Sequence, residues 1–260
     1  MKVSFGTCTD AGVRRELNED AVLAASPIFA VADGMGGHAA GEVASALAIE
    51  KMSSLAGRSD VRPDDVLHAL DEANTAILAY ERDVAETAGM GTTISGVCLG
   101  LVAGSPHWVV FNVGDSRVYR FADGELRQLT VDHSEIAELL AAGRITAEEA
   151  LVHPLRNVVT RSLGVMPPPV ADVWVLPVLA RERFLICSDG LPLEVPEDII
   201  AAQLAEDSPA QAVAEVLVSA AVLAGGRDNV SVVVVDVSAP DDAAEADEVT
   251  APRKHLAEQA

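Results

Sequence analysis

The sequence predicts an α+β fold in which antiparallel sheets carry packed helices. Strand-like and helix-like segments come in blocks rather than in strict alternation, which disfavours a doubly wound parallel sheet. Half of the 260 residues are apolar. That is enough for one sizeable core, although the length alone also admits two small domains. Aromatic residues make up only 3%, so the core must be built from Ala, Val, Leu and Ile.

The elements follow in order. Residues 3–8 alternate and read as a short strand. Residues 27–32 (PIFAVA) form a compact apolar run ending at DGMGG, a buried strand running into a turn. From Gly41 the period becomes helical, with Val43, Ala44, Leu47, Ala48 and Met52 on one face. A second helix is expected over 63–83. Pro63 suits its first turn, and Val66, Leu67, Leu70, Ala73, Ile77 and Leu78 form its stripe. The period then shifts to β: residues 92–102, 107–113 and 117–121 are strand-like, the last two joined by a tight GDS turn. ADGEL (122–126) supplies an Asp-Gly hairpin turn. Two short helices are expected at 134–142 and 146–151, capped by Ser134 and Thr146, with Gly143 ending the first. Pro167 to Pro169 form a stiff connector. Residues 173–177 and 183–187 are strands, 197–204 and 209–223 helices, and 231–237 (SVVVVDV) an apolar closing strand. No internal repeat is present.

The chain carries 18 basic and 40 acidic residues, a net charge of −22. Nucleic acid and anionic membranes are therefore unsuitable partners. No membrane-spanning segment is expected, and the N-terminus does not read as a signal peptide. Cys8, Cys98 and Cys187 lie far apart in apolar runs, as buried, reduced thiols of a cytoplasmic protein would. Residues 1–238 are read as one domain. From 239 to 260 the composition turns to Asp, Glu, Ala and Pro without apolar period, and an acidic, disordered tail is expected. Acids still outnumber bases by 34 to 16 outside that tail.

Four Asp-bearing turns stand out: Asp33 in ADGMGG, Asp115 in VGDSR, Asp189 in SDGL and Asp228 in GGRDN. Three follow an apolar strand-like run and the fourth precedes one. Asp and Gly favour turns anyway, so each alone is unremarkable. Four at sheet ends could converge, and converging carboxylates repel unless a cation neutralises them. Oxygen-only ligands without a His or Cys cluster suit Mg²⁺ or Mn²⁺ rather than zinc.

The chain resembles the metal-dependent, type 2C serine/threonine protein phosphatases, in particular the compact bacterial members. The matching segments are RELNED (15–20), VADGMGGHAAGEVAS (31–45), MGTT (90–93), NVGDSRVYR (112–120), LTVDHS (129–134), GRITAEEALVHPLRNVVTRSLG (143–164), LICSDGL (185–191) and GGRDNVSVVVV (225–235). They occur in family order. The resemblance implies two antiparallel sheets packed as a central sandwich with helices on both outer faces (α-β-β-α). It implies two to three Mn²⁺ or Mg²⁺ ions. Asp33 would bridge two of them, with the Gly34 carbonyl on the second and Asp189 and Asp228 on the first. Asp115, with Asp189, would hold a weaker third. Glu19 and Asp20 would orient waters from behind, and Arg15 would grip the substrate phosphate. A metal-activated water would attack phosphorus in line, without a covalent phospho-enzyme. In animal members a His follows Asp-Gly directly. Here that position is Met35, and the nearest candidate proton donor is His38, while His133 and Cys187 are read as structural. Pro192 and Leu193 depart from the Thr and polar residue usual after SDGL, which puts the local loop shape in question. Residues 134–164 correspond to a variable flap beside the site. The implied partners are phosphorylated proteins, including a serine/threonine kinase and its substrates, met by a monomer in the cytoplasm.

Three rivals are weighed beside this reading. An inactive binding module is disfavoured by the intact Asp33, Asp115, Asp189, Asp228 and Arg15. A hydrolase of small phosphorylated metabolites would use the same metals. A calcium-binding structural protein would need its ligands within one loop.

Overall fold

The computed structural model describes residues 2–36 and 40–238. The tail expected at 239–260, with Thr250, and His38 lie outside the described residues.

Two antiparallel sheets face each other. The first contains β1 (Lys2–Asp10), β11 (Val230–Ser238), β10 (Arg183–Cys187), β7 (Arg117–Ala122) and β8 (Glu125–Gln128), in that order across the sheet. The second contains β2 (Asp20–Ala25), β3 (Ile28–Met35), β5 (Ile94–Val102), β6 (Ser105–Val113) and β9 (Asp172–Pro177), with β4 (Gly91–Thr92) added to the end of β3. Helices α1 (Gly41–Met52) and α2 (Pro63–Asp83) cover the second sheet. Helices α5 (Gly190–Glu194), α6 (Glu197–Ala205) and α7 (Ala210–Ala224) cover the first. Two short helices, α3 (Glu135–Ala141) and α4 (Ala147–Leu151), stand apart in the flap. This is the α-β-β-α arrangement the resemblance implies.

Strand alternation divides the apolar residues among three cores. On β3, Ile28, Ala30 and Ala32 face α1 and α2, while Phe29 and Val31 face the other sheet. On β11, Val232 and Val234 face α7, and Val233, Val235 and Val237 enter the sandwich. Strands buried on both faces explain the unbroken runs PIFAVA and SVVVVDV. Small residues let the helices lie close: α1 buries Gly41, Ala44 and Ala48, and α7 buries Ala210, Ala214 and Ala221.

Helix α2 has the expected bounds, and the Asp65 carboxylate accepts the Arg62 N–H at its start (2.7 Å). Its stripe differs from the expected one: Leu67 is exposed and Leu78 half-buried, while Ala69 and Asn74 are buried. The amide side chain of Asn74 holds the chain after Leu163: its Oδ1 accepts from Gly164 N (2.7 Å) and its Nδ2 donates to the Val165 carbonyl (3.2 Å). Asp123 and Gly124 both take positive φ, +53° and +80°, as a two-residue hairpin turn requires. Ser134 and Thr146 cap α3 and α4 through their hydroxyls.

Three local differences matter for the site. The sequence reading missed β2, whose short, half-buried edge pattern is weak. The run at 92–102 is two strands, interrupted at Thr93. The GDS turn does not close a hairpin, because β6 and β7 belong to different sheets and the turn crosses between them.

At the opposite end of the sandwich, Glu182 is buried between the sheets. Its Oε1 accepts from Trp108 Nε1 (2.8 Å) and Leu179 N (2.9 Å). Arg120 Nη2 stands 2.7 Å from Oε2, a close ionic contact that is not aligned as a hydrogen bond. Removing one partner of such a pair strands the other charge. Arg120→Ala should therefore lower stability by about 3 kcal/mol. Replacing Arg120 by Met and Glu182 by Gln together should recover much of that loss, because Gln removes the stranded charge and keeps an Oε1 acceptor for Trp108 and Leu179. Urea unfolding measures both, and a loss under about 0.5 kcal/mol for Arg120→Ala, the level of ordinary surface substitutions, would refute the buried-charge account.

Candidate active site

All four Asp turns lie at one end of the sandwich. Asp33 lies among the last residues of β3, which continues to Met35 rather than stopping at Ala32, Asp115 sits in the crossing from β6 to β7, Asp189 follows β10 as the N-cap of α5, and Asp228 precedes β11. Together with Arg15, Glu19, Gly34, Thr93 and Asn229 they line one cleft of about 310 Å³. The sequence-predicted residues thus converge, apart from Asp20, which stands behind the cleft wall.

Asp20 faces Asp33 directly across the β2–β3 pair. Like charges opposite each other on paired strands repel. Asp20 Oδ2 accepts from Ser188 Oγ (2.8 Å), while its buried Oδ1 has no partner. Burial, followed by the charges of Asp20, Asp189 and Asp115, holds the Asp33 carboxyl well above its usual range. Burial also raises Asp20 to about 7, Asp115 to about 7 and Asp189 to about 6, with Asp189 adding to the first two and Asp228 to the third. The charge of Asp189 is among the causes that raise Asp33, so the two carboxyls are repelling neighbours in one cleft unless a proton or a cation neutralises them.

These facts bear on whether a metal fits. The cleft presents carboxylate, carbonyl and hydroxyl oxygens, and among the described residues neither His nor Cys lines it. Among the described residues, no three Asp, Glu, His or Cys side chains come together as a group that could by itself hold a metal ion. The carboxylates instead border an open cleft, where water can complete a coordination sphere. That donor set fits Mg²⁺ or Mn²⁺.

Small polar side chains fix this geometry. Asp33 N donates to Thr93 Oγ1 (3.1 Å), and the Asp33 carbonyl accepts from Thr92 Oγ1 (2.9 Å) and Thr93 N (2.9 Å). Thr93 Oγ1 also bonds Ser116 Oγ (2.8 Å), tying Asp33 to the turn that carries Asp115. His133 supports that turn from below. Its Nδ1 accepts from Gly114 N (3.1 Å), so Nε2 carries the proton toward Asp172 (3.2 Å). Burial lowers its pKa, in keeping with a neutral, structural imidazole. Arg117 grips Asp132 with two nitrogens (3.0 and 2.7 Å) on the other flank.

Gly34 is required by contact. A Cβ there would stand 2.2 Å from the Gly41 carbonyl oxygen, at the start of α1. The Glu19 carbonyl accepts from Gly34 N (3.1 Å) and Ser45 Oγ (2.6 Å). Burial, then the charge of Glu42, raises the Glu19 carboxyl, while the Gly41 N–H opposes that shift.

Asn229 was not assigned a role from sequence. Its Nδ2 donates to the carbonyls of Ala11 (3.0 Å) and Leu17 (2.9 Å), and its Oδ1 accepts from Glu19 N (2.9 Å). It thereby pins the segment that carries Arg15. The half-exposed Arg15 guanidinium reaches the cleft mouth, where Nη2 donates to Asp228 Oδ2 (2.7 Å). The only sequence signal for Asn229 was its place beside Asp228 in GGRDN. Thr92 and Thr93 were visible only as the hydroxyl pair of MGTT. Cys187 is fully buried and its thiol is pushed up to about 12 by that burial, so it stays a core residue. Pro192 lies in the first turn of α5, where a missing N–H costs nothing, and Leu193 joins the cleft wall.

The chain matches the family described as protein phosphatase 2C over residues 10–222. It is 42% identical over 243 residues to the serine/threonine protein phosphatase PstP of Mycobacterium tuberculosis, covering 91% of this chain and 45% of that protein. It is 36% identical over 239 residues to the serine/threonine phosphatase stp of Listeria monocytogenes, covering 88% of this chain and 93% of that protein. It is also similar to a crystal structure of the catalytic domain of PstP in complex with two manganese ions, with a TM-score of 0.82, 35% identity, and coverage of 91% of this chain and 99% of that one. The chain therefore spans less than half the length of the mycobacterial relative.

The carboxyl cluster sets a pH dependence. Each folded pKa lies above the unfolded value of 3.8. The folded state then binds more protons than the unfolded chain between about pH 4 and 7, and stability falls as pH rises through that window. In chelator, the melting temperature should drop from about pH 5 to 8, and the gain on adding Mn²⁺ should be larger at the upper end. A metal-induced gain that shrinks with rising pH would contradict this electrostatic account.

Proposed function

The chain belongs to the protein phosphatase 2C family, and from that premise we propose that it is a serine/threonine protein phosphatase acting on phosphoserine and phosphothreonine of other proteins. The observation that carries the proposal is the convergence of Asp33, Asp115, Asp189 and Asp228 with Arg15 on one open cleft.

Asp33, Asp189, Asp228 and the Gly34 carbonyl would hold two Mn²⁺ or Mg²⁺ ions, and Asp115 with Asp189 a third. When bound, the ions supply the positive charge that activates water and neutralises the phosphoryl group. The chain contributes the rest. Asp33 and Asp189, ionised, would hold the cations that offset their mutual repulsion. Arg15, at the mouth, can turn from Asp228 to the substrate phosphate, a planar fork suited to two phosphate oxygens. Glu19 on the cleft wall and Asp20 behind it would orient ordered water by accepting its hydrogen bonds. Among the described residues beside the cleft, the hydroxyl and thiol groups are engaged or buried: Cys187 is buried, Ser188 Oγ is held by Asp20 and Ser231 N, and Thr93 Oγ1 by Asp33 N and Ser116. A covalent phospho-enzyme is therefore not part of the proposal. His38, the proton donor suggested from sequence, lies outside the described residues and keeps that role only as a suggestion.

The open cleft suits a phosphorylated loop of a protein, and a serine/threonine kinase and its substrates are the partners proposed. Among the described residues no helix is long and apolar enough to cross a membrane. A monomer working in the cytoplasm completes the reading.

Phosphoserine, phosphothreonine and phosphotyrosine peptides, assayed with Mn²⁺, Mg²⁺ and chelator, test it. Release is expected from the first two, with metal only. Full activity in excess chelator would sink the proposal. Asp33→Asn and Asp189→Asn should each nearly abolish turnover with an unchanged circular dichroism spectrum, whereas Arg15→Ala should mainly raise KM. Asp115→Ala should lower kcat roughly tenfold or more, ~1.4 kcal/mol of barrier, and remove the weakest phase of a metal titration. A normal kcat with an unchanged titration would mark Asp115 as a turn residue only.

A further inference from the structure

Asp189 and Asp228 come from separate segments, and the second is carried by a loop opening with Gly225 and Gly226. Such a loop has little stiffness of its own. One side chain ties it to α5. Glu194, the last residue of α5, accepts three N–H groups from Arg227: the backbone N (2.9 Å) and Nε (2.8 Å) on Oε1, and Nη2 (3.2 Å) on Oε2. Arg227 Nη2 also donates to the Leu193 carbonyl (2.9 Å). The Glu194 side chain is only 4% exposed, against 55% for Arg227. A Cβ on Gly225 would come within 3.0 Å of Glu194 Oε2, so the loop wraps the carboxylate closely. Arg227 draws the Glu194 carboxyl below its usual range.

The placement gives this pair its meaning. Asp189 is the N-cap of helix α5 and Glu194 its last residue, and Arg227 immediately precedes Asp228. The Gly226 carbonyl also accepts from Val13 N (2.7 Å) and Arg14 N (3.2 Å), next to Arg15. A loosely held surface ion pair contributes little, but this carboxylate is enclosed and its three bonds are charge-assisted.

We propose that Glu194 and Arg227 form a positioning clamp that fixes Asp228 relative to Asp189 and thereby sets the affinity of the site for its divalent cation. The inference rests on the reading of Asp189 and Asp228 as metal ligands. Residues that orient ligands without touching the ion commonly govern metal affinity by tenfold or more.

Calorimetric titration of the metal-free protein with Mn²⁺, alongside melting in chelator, tests the clamp. Glu194→Ala and Arg227→Ala should each weaken Mn²⁺ binding roughly tenfold. The double variant should be no weaker than either single one, because the two residues act as a unit. A charge effect alone predicts opposite signs: losing the Glu194 anion would weaken cation binding and losing the Arg227 cation would strengthen it. Stronger binding by Arg227→Ala, or unchanged affinity with only a lowered melting temperature, overturns the clamp. Arg227 is half-exposed, so Arg227→Ala keeps the test open should Glu194→Ala fail to fold. Asp228→Asn separates the two readings. If it binds Mn²⁺ as the natural chain does, the ligand assignment fails. If it loses binding while both clamp variants keep theirs, only the clamp fails.

Discussion

The organising constraint of this molecule is mutual repulsion among carboxylates that the fold gathers, half-buried, around one cleft. Asp20 and Asp33 face each other across paired strands, and Asp115, Asp189 and Asp228 approach from three other strand ends. Burial and neighbouring charge raise the pKa of Asp20, Asp33, Asp115 and Asp189. A fold optimised for stability alone would not gather these groups. Here it does so at the edge of three well-packed apolar cores, which supply the stability that the cluster removes.

Those cores also explain the accuracy of the placement. Strands β3, β10 and β11 are buried on both faces, so their registers cannot slip without moving a whole set of side chains to the wrong layer. Their ends are correspondingly fixed. What remains soft is the connecting backbone, and short polar side chains secure it. Thr92, Thr93 and Ser116 hold the Asp33 and Asp115 ends together, His133 and Arg117 brace the crossing turn, and Asn229 fastens the Arg15 segment.

Much of this was legible before any coordinates. Helix α2 runs from Pro63 to Asp83 as its period and first-turn proline indicate, and β10 has the expected bounds. These elements have strong local signals. The four Asp turns were legible for another reason: each adjoins an apolar run, so its position at a sheet end follows from chain pattern. The misses have physical causes. Strand β2 is short and half-buried on an edge, and tertiary pairing rather than alternation defines it. The GDS turn crosses between sheets, and no local pattern separates that from a hairpin. Asn74 occupies a core position because three backbone groups satisfy its amide, a circumstance that periodicity cannot register. The partners of Thr93 and Asn229 are distant in sequence, so only the fold reveals them.

One feature of the sheet margin has a separate consequence. Strand β1 pairs with β11 on one side only, which leaves a row of peptide groups along its other side. Gln211, at the start of α7, occupies part of that row: its Oε1 accepts from Thr7 N (3.0 Å) and its Nε2 donates to the Thr7 carbonyl (2.9 Å). Its amide imitates the peptide of a neighbouring strand, and Gly6 lets the helix backbone come close enough for that contact. The imitation denies an incoming polypeptide the donor and acceptor it would need to zip onto the margin. A glutamine on a helix thus serves as a guard against self-association through sheet extension, a duty independent of phosphate chemistry.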